Sequence, residues 1–259
     1  MDMGIKGRKA LVCGASAGLG LACAQALARE GVELVIAART EAPLREAAAA
    51  LQAQCSAPVH WVVADVTTHD GRARIFAAHT DFDILVTNAG GPAPGDFRTW
   101  DRDSWIAALD ANMLAPIALI GQVVDGMLDR GFGRIVNITS SAVKSPVDGL
   151  GLSTGARSGL TGFVAGLSRS TIAQGVTINN ILPGTFDTQR LAGNFAAQAR
   201  REGTDVETVR ATRLAKHPAH RFGQPEEFGA ACAFLCSAHA GYINGQNLLM
   251  DGGSFPGVF

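Results

Sequence analysis

The run Cys13-Gly14-Ala15-Ser16-Ala17-Gly18-Leu19-Gly20 closes an apolar segment and opens an Ala-rich one. Glycines there let the backbone turn tightly and approach a pyrophosphate. A helix starting within the run offers free N–H groups and the positive end of its dipole. Gly14, Ser16, Ala17, Gly18 and Leu19 therefore form a candidate phosphate cradle. Such a site usually places an acid about 20 residues on, at the ribose 2′-hydroxyl. Here Arg39 stands nineteen residues after Gly20. A guanidinium grips a 2′-phosphate as a fork, so NADP(H) is favoured over NAD(H) as cofactor. The plainer alternative leaves Arg39 as a solvated loop charge.

A second cluster lies late in the chain. Between Gln189 and Arg221 seven cations face three acids, in a chain of net charge −1. A basic segment of this kind can draw an anionic substrate such as a carboxylate or acyl thioester. A third pattern is Asn112 followed four residues later by Pro116. A helical Pro brings no N–H and crowds the carbonyl at i−4, which leaves the Asn112 carbonyl free to hold a water. Trp105, Leu109, Asn112 and Pro116 would share one helical face.

The elements that position these residues alternate. Strands are expected at Ala10–Cys13, Glu33–Ala37, Val59–Ala64, Asp83–Val86, Arg134–Ile138, Val176–Ile181 and Asn247–Met250. Helices are expected at about 18–30, 41–54, 69–79, 101–129, 152–174 and 225–237. Strands alternating with helices imply parallel pairing and right-handed crossovers. The fold class is therefore α/β: one doubly wound, seven-stranded parallel sheet with helices on both faces, forming a single domain over 1–259. Residues 184–224 read as one long irregular lid, a length that is usually functional.

Composition narrows the classes further. The net charge implies no general affinity for nucleic acid. The uncharged stretch Ala10–Ala28 is broken by glycines, so it reads as strand, turn and helix rather than a leader, and no membrane span is expected. Five cysteines without a CxxC pair imply buried thiols, no metal site and a reducing cytoplasm.

The chain resembles the short-chain dehydrogenase/reductase family, of the 3-oxoacyl-acyl-carrier-protein reductase type, over essentially its whole length. CGASAGLG stands for the family's TGxxxGxG, and Asp65-Val66 ends the third strand. Thr87-Asn88-Ala89-Gly90 stands for NNAG, Pro183-Gly184 and Thr188 for PGxxxT. The resemblance implies that Asp65 and Val66 hold the adenine. It places Asn88, Ala89 and Gly90 along the cofactor, and Pro183, Gly184, Phe186 and Thr188 towards the nicotinamide. It assigns Asn112 a water in a proton relay and Ser140 a hydrogen bond to the substrate oxygen. It also implies a small-molecule carbonyl or alcohol substrate and a homo-oligomer, dimer or tetramer. Gly155, Gly159, Gly162 and Gly166 would lie at that subunit interface, or against the chain's own sheet.

One departure matters. Thirteen residues after Ser140, where the family has YxxxK, the chain has Ser153-Thr154-Gly155-Ala156-Arg157, and its one tyrosine, Tyr242, lies far downstream. An aliphatic hydroxyl is a poor acid compared with a phenol of pKa ~10. Arg157, one turn on, can keep a positive field and hydrogen bonds to a ribose, but does not titrate at working pH. Lys144 or an ordered water is the first candidate for a replacement proton donor, with Ser140 and Ser153 orienting the carbonyl and Asp148, His217 and His220 as further candidates. The leading reading is an NADP(H)-dependent oxidoreductase with an atypical donor. A cofactor-holding subunit or sensor without turnover is the second. A lyase or dehalogenase on the same scaffold is the third, although halohydrin dehalogenases keep the Tyr and lose the Gly-rich loop.

Overall fold

The computed structural model describes residues 2–258. Seven strands form one parallel sheet: β1 (Lys9–Cys13), β2 (Glu33–Ala38), β3 (Val59–Val63), β4 (Ile84–Thr87), β5 (Gly133–Ile138), β6 (Val176–Pro183) and β7 (Asn247–Met250). Their spatial order is β3-β2-β1-β4-β5-β6-β7. The chain reverses its winding direction between β1 and β4, and this opens a crevice at the carboxyl ends of the strands.

Strand periodicity sorts the core into two layers. Ala10, Val12, Leu34 and Ile36 face one side, with α1 (Gly18–Arg29), α2 (Glu41–Gln52) and α9 (Pro225–Cys236). Leu11, Cys13, Val35 and Ala37 face the other, with α3 (His69–Ala78), α5 (Ala115–Asp129) and α6 (Gly151–Thr171). Both faces are covered, so β1, β2 and β4 are apolar at nearly every position. α1 and α9 pack tightly because Gly229 presents no Cβ, which would collide with the Ala22 carbonyl. All five cysteines are free. Contact with Cys23, supplemented by burial, holds the Cys232 thiol well above its ordinary value.

A polar ladder crosses four strands. The Thr87 hydroxyl donates to Asn137 Oδ1 (2.7 Å), Asn137 Nδ2 to Asn180 Oδ1 (3.1 Å), and Asn180 Nδ2 to Asn247 Oδ1 (2.8 Å). Each pair is also a register pair of the sheet.

Three sequence expectations change. The stretch 184–224 is not irregular: it holds α7 (Gln189–Glu202) and α8 (Val206–Ala215), capped by Thr188 and Asp205. Leu191, Phe195 and Ala199 recur at helical spacing and bury one face of α7 against Val209 and Phe222. The expected helix at 101–129 is α4 (Arg102–Leu109), a π turn over 110–114 and α5. This continuous run, Arg102–Asp129, is long and apolar enough by composition to cross a membrane. Here its apolar face packs on β4, β5, β6 and α6. Asn112 is buried, while Trp105 stays partly exposed, packed against Trp100 and Gly155 of α6. Finally, the glycines of α6 divide. A Cβ on Gly155 would lie 3.1 Å from the Trp105 ring and one on Gly159 2.7 Å from Met113 Sδ, whereas Gly162 and Gly166 face open space.

Candidate active site

Two cavities open at the carboxyl ends of the strands and share Asn88 and Ala89. The first, about 190 Å³, is lined by Gly14, Ser16, Arg39, Asp65, Val66 and Gly90, among others. The glycine loop is built for close approach. Gly14 sits at φ +60°, and a Cβ there would lie 2.6 Å from Asn88 Nδ2. A Cβ on Gly20 would run into the Gly14 carbonyl. Asn88 Nδ2 donates to that carbonyl at 3.2 Å and ties the loop to the end of β4. α1 starts at Gly18 with Ala17 as its cap, and no side chain satisfies the first-turn amides. Those free donors suit a pyrophosphate. Asp65 Oδ1 accepts from the Thr67 amide (3.0 Å) and hydroxyl (2.7 Å). Burial opposes ionisation of Asp65, but these two bonds and the Arg39 charge outweigh it and hold the carboxyl below its ordinary value.

The second cavity, about 400 Å³, reaches from Leu19 and Asn88 to Pro183, Gly184, Phe186 and Thr188. Gly184 lies so near β7 that a Cβ would sit 2.7 Å from the Asp251 Cβ. Phe186 is fixed edge-on against Phe228, with ring centroids 5.3 Å apart. Thr188 caps α7 through its hydroxyl, which accepts from the Leu191 amide at 3.3 Å. The two cavities together form one trough from Arg39 to Pro183. With the glycine loop beneath and uncapped helix amides beside it, the trough fits a dinucleotide extended over the sheet.

Ser140, Ser153 and Arg157 line the same second cavity. Ser140 follows β5, and its Oγ accepts from the Ala142 amide at 3.1 Å, which leaves its own proton to donate. Arg157 is only 8% exposed and is held on every side. Its Nη1 donates to the carbonyls of Ile138 (2.8 Å) and Thr139 (2.9 Å), its Nη2 to Ala89 (3.3 Å), and its Nε to Ser153 Oγ (3.2 Å). None of these partners is a carboxylate. Burial, then the Arg190 charge, pulls Arg157 down to about 10. The guanidinium remains cationic at neutral pH.

Other candidates lie elsewhere. Lys144 is not among the residues lining the cavity, and its Nζ stands 6.0 Å from the centre of the Phe255 ring. Asp148 lines a neighbouring hollow and caps the Gly149 amide. Buried His217 meets the Ser254 hydroxyl at 3.3 Å, and His220 is exposed. The structure therefore gathers Ser140, Ser153 and Arg157 and leaves Lys144 outside. Asn112 Nδ2 donates to the Ala108 carbonyl at 3.2 Å, while its buried Oδ1 has no partner among the described residues. No three His, Cys, Asp or Glu side chains gather to hold a metal among the described residues.

Sequence reasoning singled out the lid and its cations, but not which of its residues reach the site. Thr185, Arg190, Leu191, Asn194 and Arg213 also line the second cavity. The apolar spacing of α7 and the caps Thr188 and Asp205 were signals that could have placed them. Other lid cations are spent on pairs: Arg210 with Asp187 at 3.0 Å and Arg221 with Glu227 at 2.7 Å.

A family model described as enoyl-(acyl carrier protein) reductase matches residues 14–254. Acetoacetyl-CoA reductase of Allochromatium vinosum is 33% identical over 254 residues, covering 96% of this chain and 98% of the relative. The 3-oxoacyl-acyl-carrier-protein reductase of Vibrio cholerae is 30% identical over 98% of this chain and 99% of its own length. The crystal structure of L-sorbose reductase from Gluconobacter frateurii, complexed with NADPH and L-sorbose, superposes with a TM-score of 0.94 at 30% identity, covering 100% of both chains.

Proposed function

The chain belongs to the short-chain dehydrogenase/reductase family, and from that premise we propose an NADP(H)-dependent oxidoreductase that works on a carbonyl/alcohol pair without a phenolic acid. The single observation that carries this reading is the coexistence of an intact cofactor trough with a buried Ser153–Arg157 pair at its catalytic end. Three relatives that match along nearly the whole chain are named reductases, and one of these is complexed with NADPH. When bound, the cofactor supplies or accepts the hydride. Arg39 favours the form with a 2′-phosphate over NAD(H).

The protein's own residues then have these roles. Gly14 to Leu19 and the first amides of α1 hold the pyrophosphate, and Asp65 and Val66 border the adenosine. Asn88, Ala89 and Gly90 border the middle of the trough. Pro183, Gly184, Phe186 and Thr188 shape the nicotinamide end. Ser140 and Ser153 each have a hydroxyl proton free to donate to the substrate oxygen. Arg157 fixes Ser153 through Nε and places a buried positive field where negative charge develops on that oxygen. The final proton comes from water entering the open cavity, because neither a serine nor a guanidinium yields one readily at neutral pH. Lys144, placed at the Phe255 ring, has no part in that step.

A second reading is a cofactor-holding sensor without turnover. It is favoured by the complete locking of Arg157 on main-chain carbonyls. Fluorescence titration with NADPH, followed by a turnover screen over ketones, quinones and iminium ions, tests both. No binding overturns both readings; binding with no oxidation of NADPH by any acceptor leaves the sensor. The proposal extends to a cytoplasmic homo-oligomer. The free thiols and the open Gly162–Gly166 side of α6 support it, and sedimentation tests the assembly.

A further inference from the structure

Arg157, Arg190 and Arg213 all line the second cavity, and no Asp or Glu does. Among the described residues none of the three forms an ion pair, whereas Arg210 and Arg221 of the same lid each do. Arg213 spends its Nε and Nη2 on the neutral Gln198 Oε1. Arg190 Nη2 donates to the Gly91 carbonyl at 3.3 Å. Gly91 marks the centre of this arrangement. A Cβ built there would stand 3.5 Å from Arg190 Nη2, 3.6 Å from Arg157 Nη2 and 3.6 Å from Ser153 Oγ. These are ordinary contact distances, and Gly91 is not among the glycines of positive φ. Neither backbone conformation nor crowding demands a glycine at this position. What its missing side chain leaves is a space bounded by two guanidiniums and a hydroxyl.

Arg157 is buried, while Arg190 and Arg213 are exposed; like charges gathered around a cavity without a carboxylate repel one another, and a bound anion relieves that repulsion. We propose that the substrate is itself anionic, a carbonyl compound bearing a carboxylate or phosphate group, and that this group sits over Gly91 between Arg190 and Arg157, with Arg213 at the rim. Fork-shaped guanidiniums suit either group. The inference rests on the oxidoreductase reading for the carbonyl half of the ligand only.

The test uses matched pairs on protein saturated with NADP⁺, followed by calorimetry: 4-oxopentanoate against its methyl ester, and dihydroxyacetone phosphate against dihydroxyacetone. The charged member of at least one pair binds about tenfold or more tighter than its neutral twin, as one charge-assisted fork would give. The pair that responds tells carboxylate from phosphate. Arg190→Ala with Arg213→Ala removes the preference, while Arg200→Ala with Arg201→Ala, an equal loss of charge on α7 outside the cavity, keeps it. Gly91→Asp supplies an internal carboxylate, so it abolishes the preference and raises the melting temperature. Equal affinity within both pairs, no binding by any probe, or a preference that survives in the double variant overturns the proposal. A preference seen only before NADP⁺ is added overturns it too, because the anion site is then the cofactor's own. If NADP⁺ itself gives no binding heat, the oxidoreductase reading falls, and the same pairs on the cofactor-free chain still decide the anion site.

Discussion

The two ends of the trough are built on different principles. At the adenosine end, main chain does the work: glycines bring amides close, α1 offers uncapped N–H groups, and Asn88 ties the loop down. At the other end, side chains do the work, centred on Ser153 and Arg157. Arg157 donates to three main-chain carbonyls and Ser153, so it serves as a structural brace as well as a field. A backbone cradle tolerates little change where a Cβ on Gly14 or Gly20 would meet the Asn88 amide or the Gly14 carbonyl. A side-chain site can be rewritten while the scaffold stands. Binding and chemistry are thus separable here, and that separation can be broken experimentally.

The largest effect is expected from Arg157→Ala. It leaves the Ile138, Thr139 and Ala89 carbonyls short of a donor in a buried place, at a cost of about 3 kcal/mol. The melting temperature should fall by roughly 6–10 °C in a calorimetric scan. An unchanged melting temperature would refute the brace. Gly14→Ala strikes the other end: with φ at +60° and Asn88 Nδ2 in the way, NADPH affinity should drop about a hundredfold, or about 2.7 kcal/mol, by fluorescence titration. Arg39→Ala should leave NADH binding nearly unchanged and weaken NADPH about tenfold, so the ratio of the two affinities is the measurement. A constant ratio would remove Arg39 from the 2′-phosphate.

The smallest effect concerns the lid. Bonds from Arg221, and then from the Gln224 amide, lower the Glu227 carboxyl from 4.5 to about 2. A carboxylate whose folded value is depressed stabilises above its unfolded value, and that contribution is lost as pH falls from about 4.5 through about 2. Both partners are largely exposed, so solvent screening keeps the gain under about 1 kcal/mol. Glu227→Gln should therefore lie slightly below wild type in stability at pH 7 and converge with it near pH 2.

The doubly wound sheet was legible because its signals are local. β-branched runs alternate with Ala-rich ones, and six strands differ from expectation only at their ends by one or two residues, while β7 agrees throughout. The glycine loop, Arg39, Ser153 and Arg157 stood out by spacing, and the structure brings them to the two cavities. Two things were not legible. The lid helices carry many charges and little apolar surface, so their single buried stripe of Leu191, Phe195 and Ala199 was overshadowed. The direction of Lys144 depends on Phe255, 111 residues away, and no local pattern encodes it. Arg190 and Arg213 were visible as charges, but only the packing of α7 on α8 says which cations face the cavity.

The asparagine ladder has a consequence for how the chain reaches this state. Its bonds join residues 50, 43 and 67 positions apart, so none can form until distant strands have docked. A slip of one residue turns each amide to the opposite helix layer, and a slip of two sets Asn180 beside Ile135 instead of Asn137. Either error leaves buried amides without partners, each costing about 1–3 kcal/mol. The aliphatic residues around them would accept several registers almost equally. The ladder thus favours the observed register over its slipped alternatives by what those would leave unpaired.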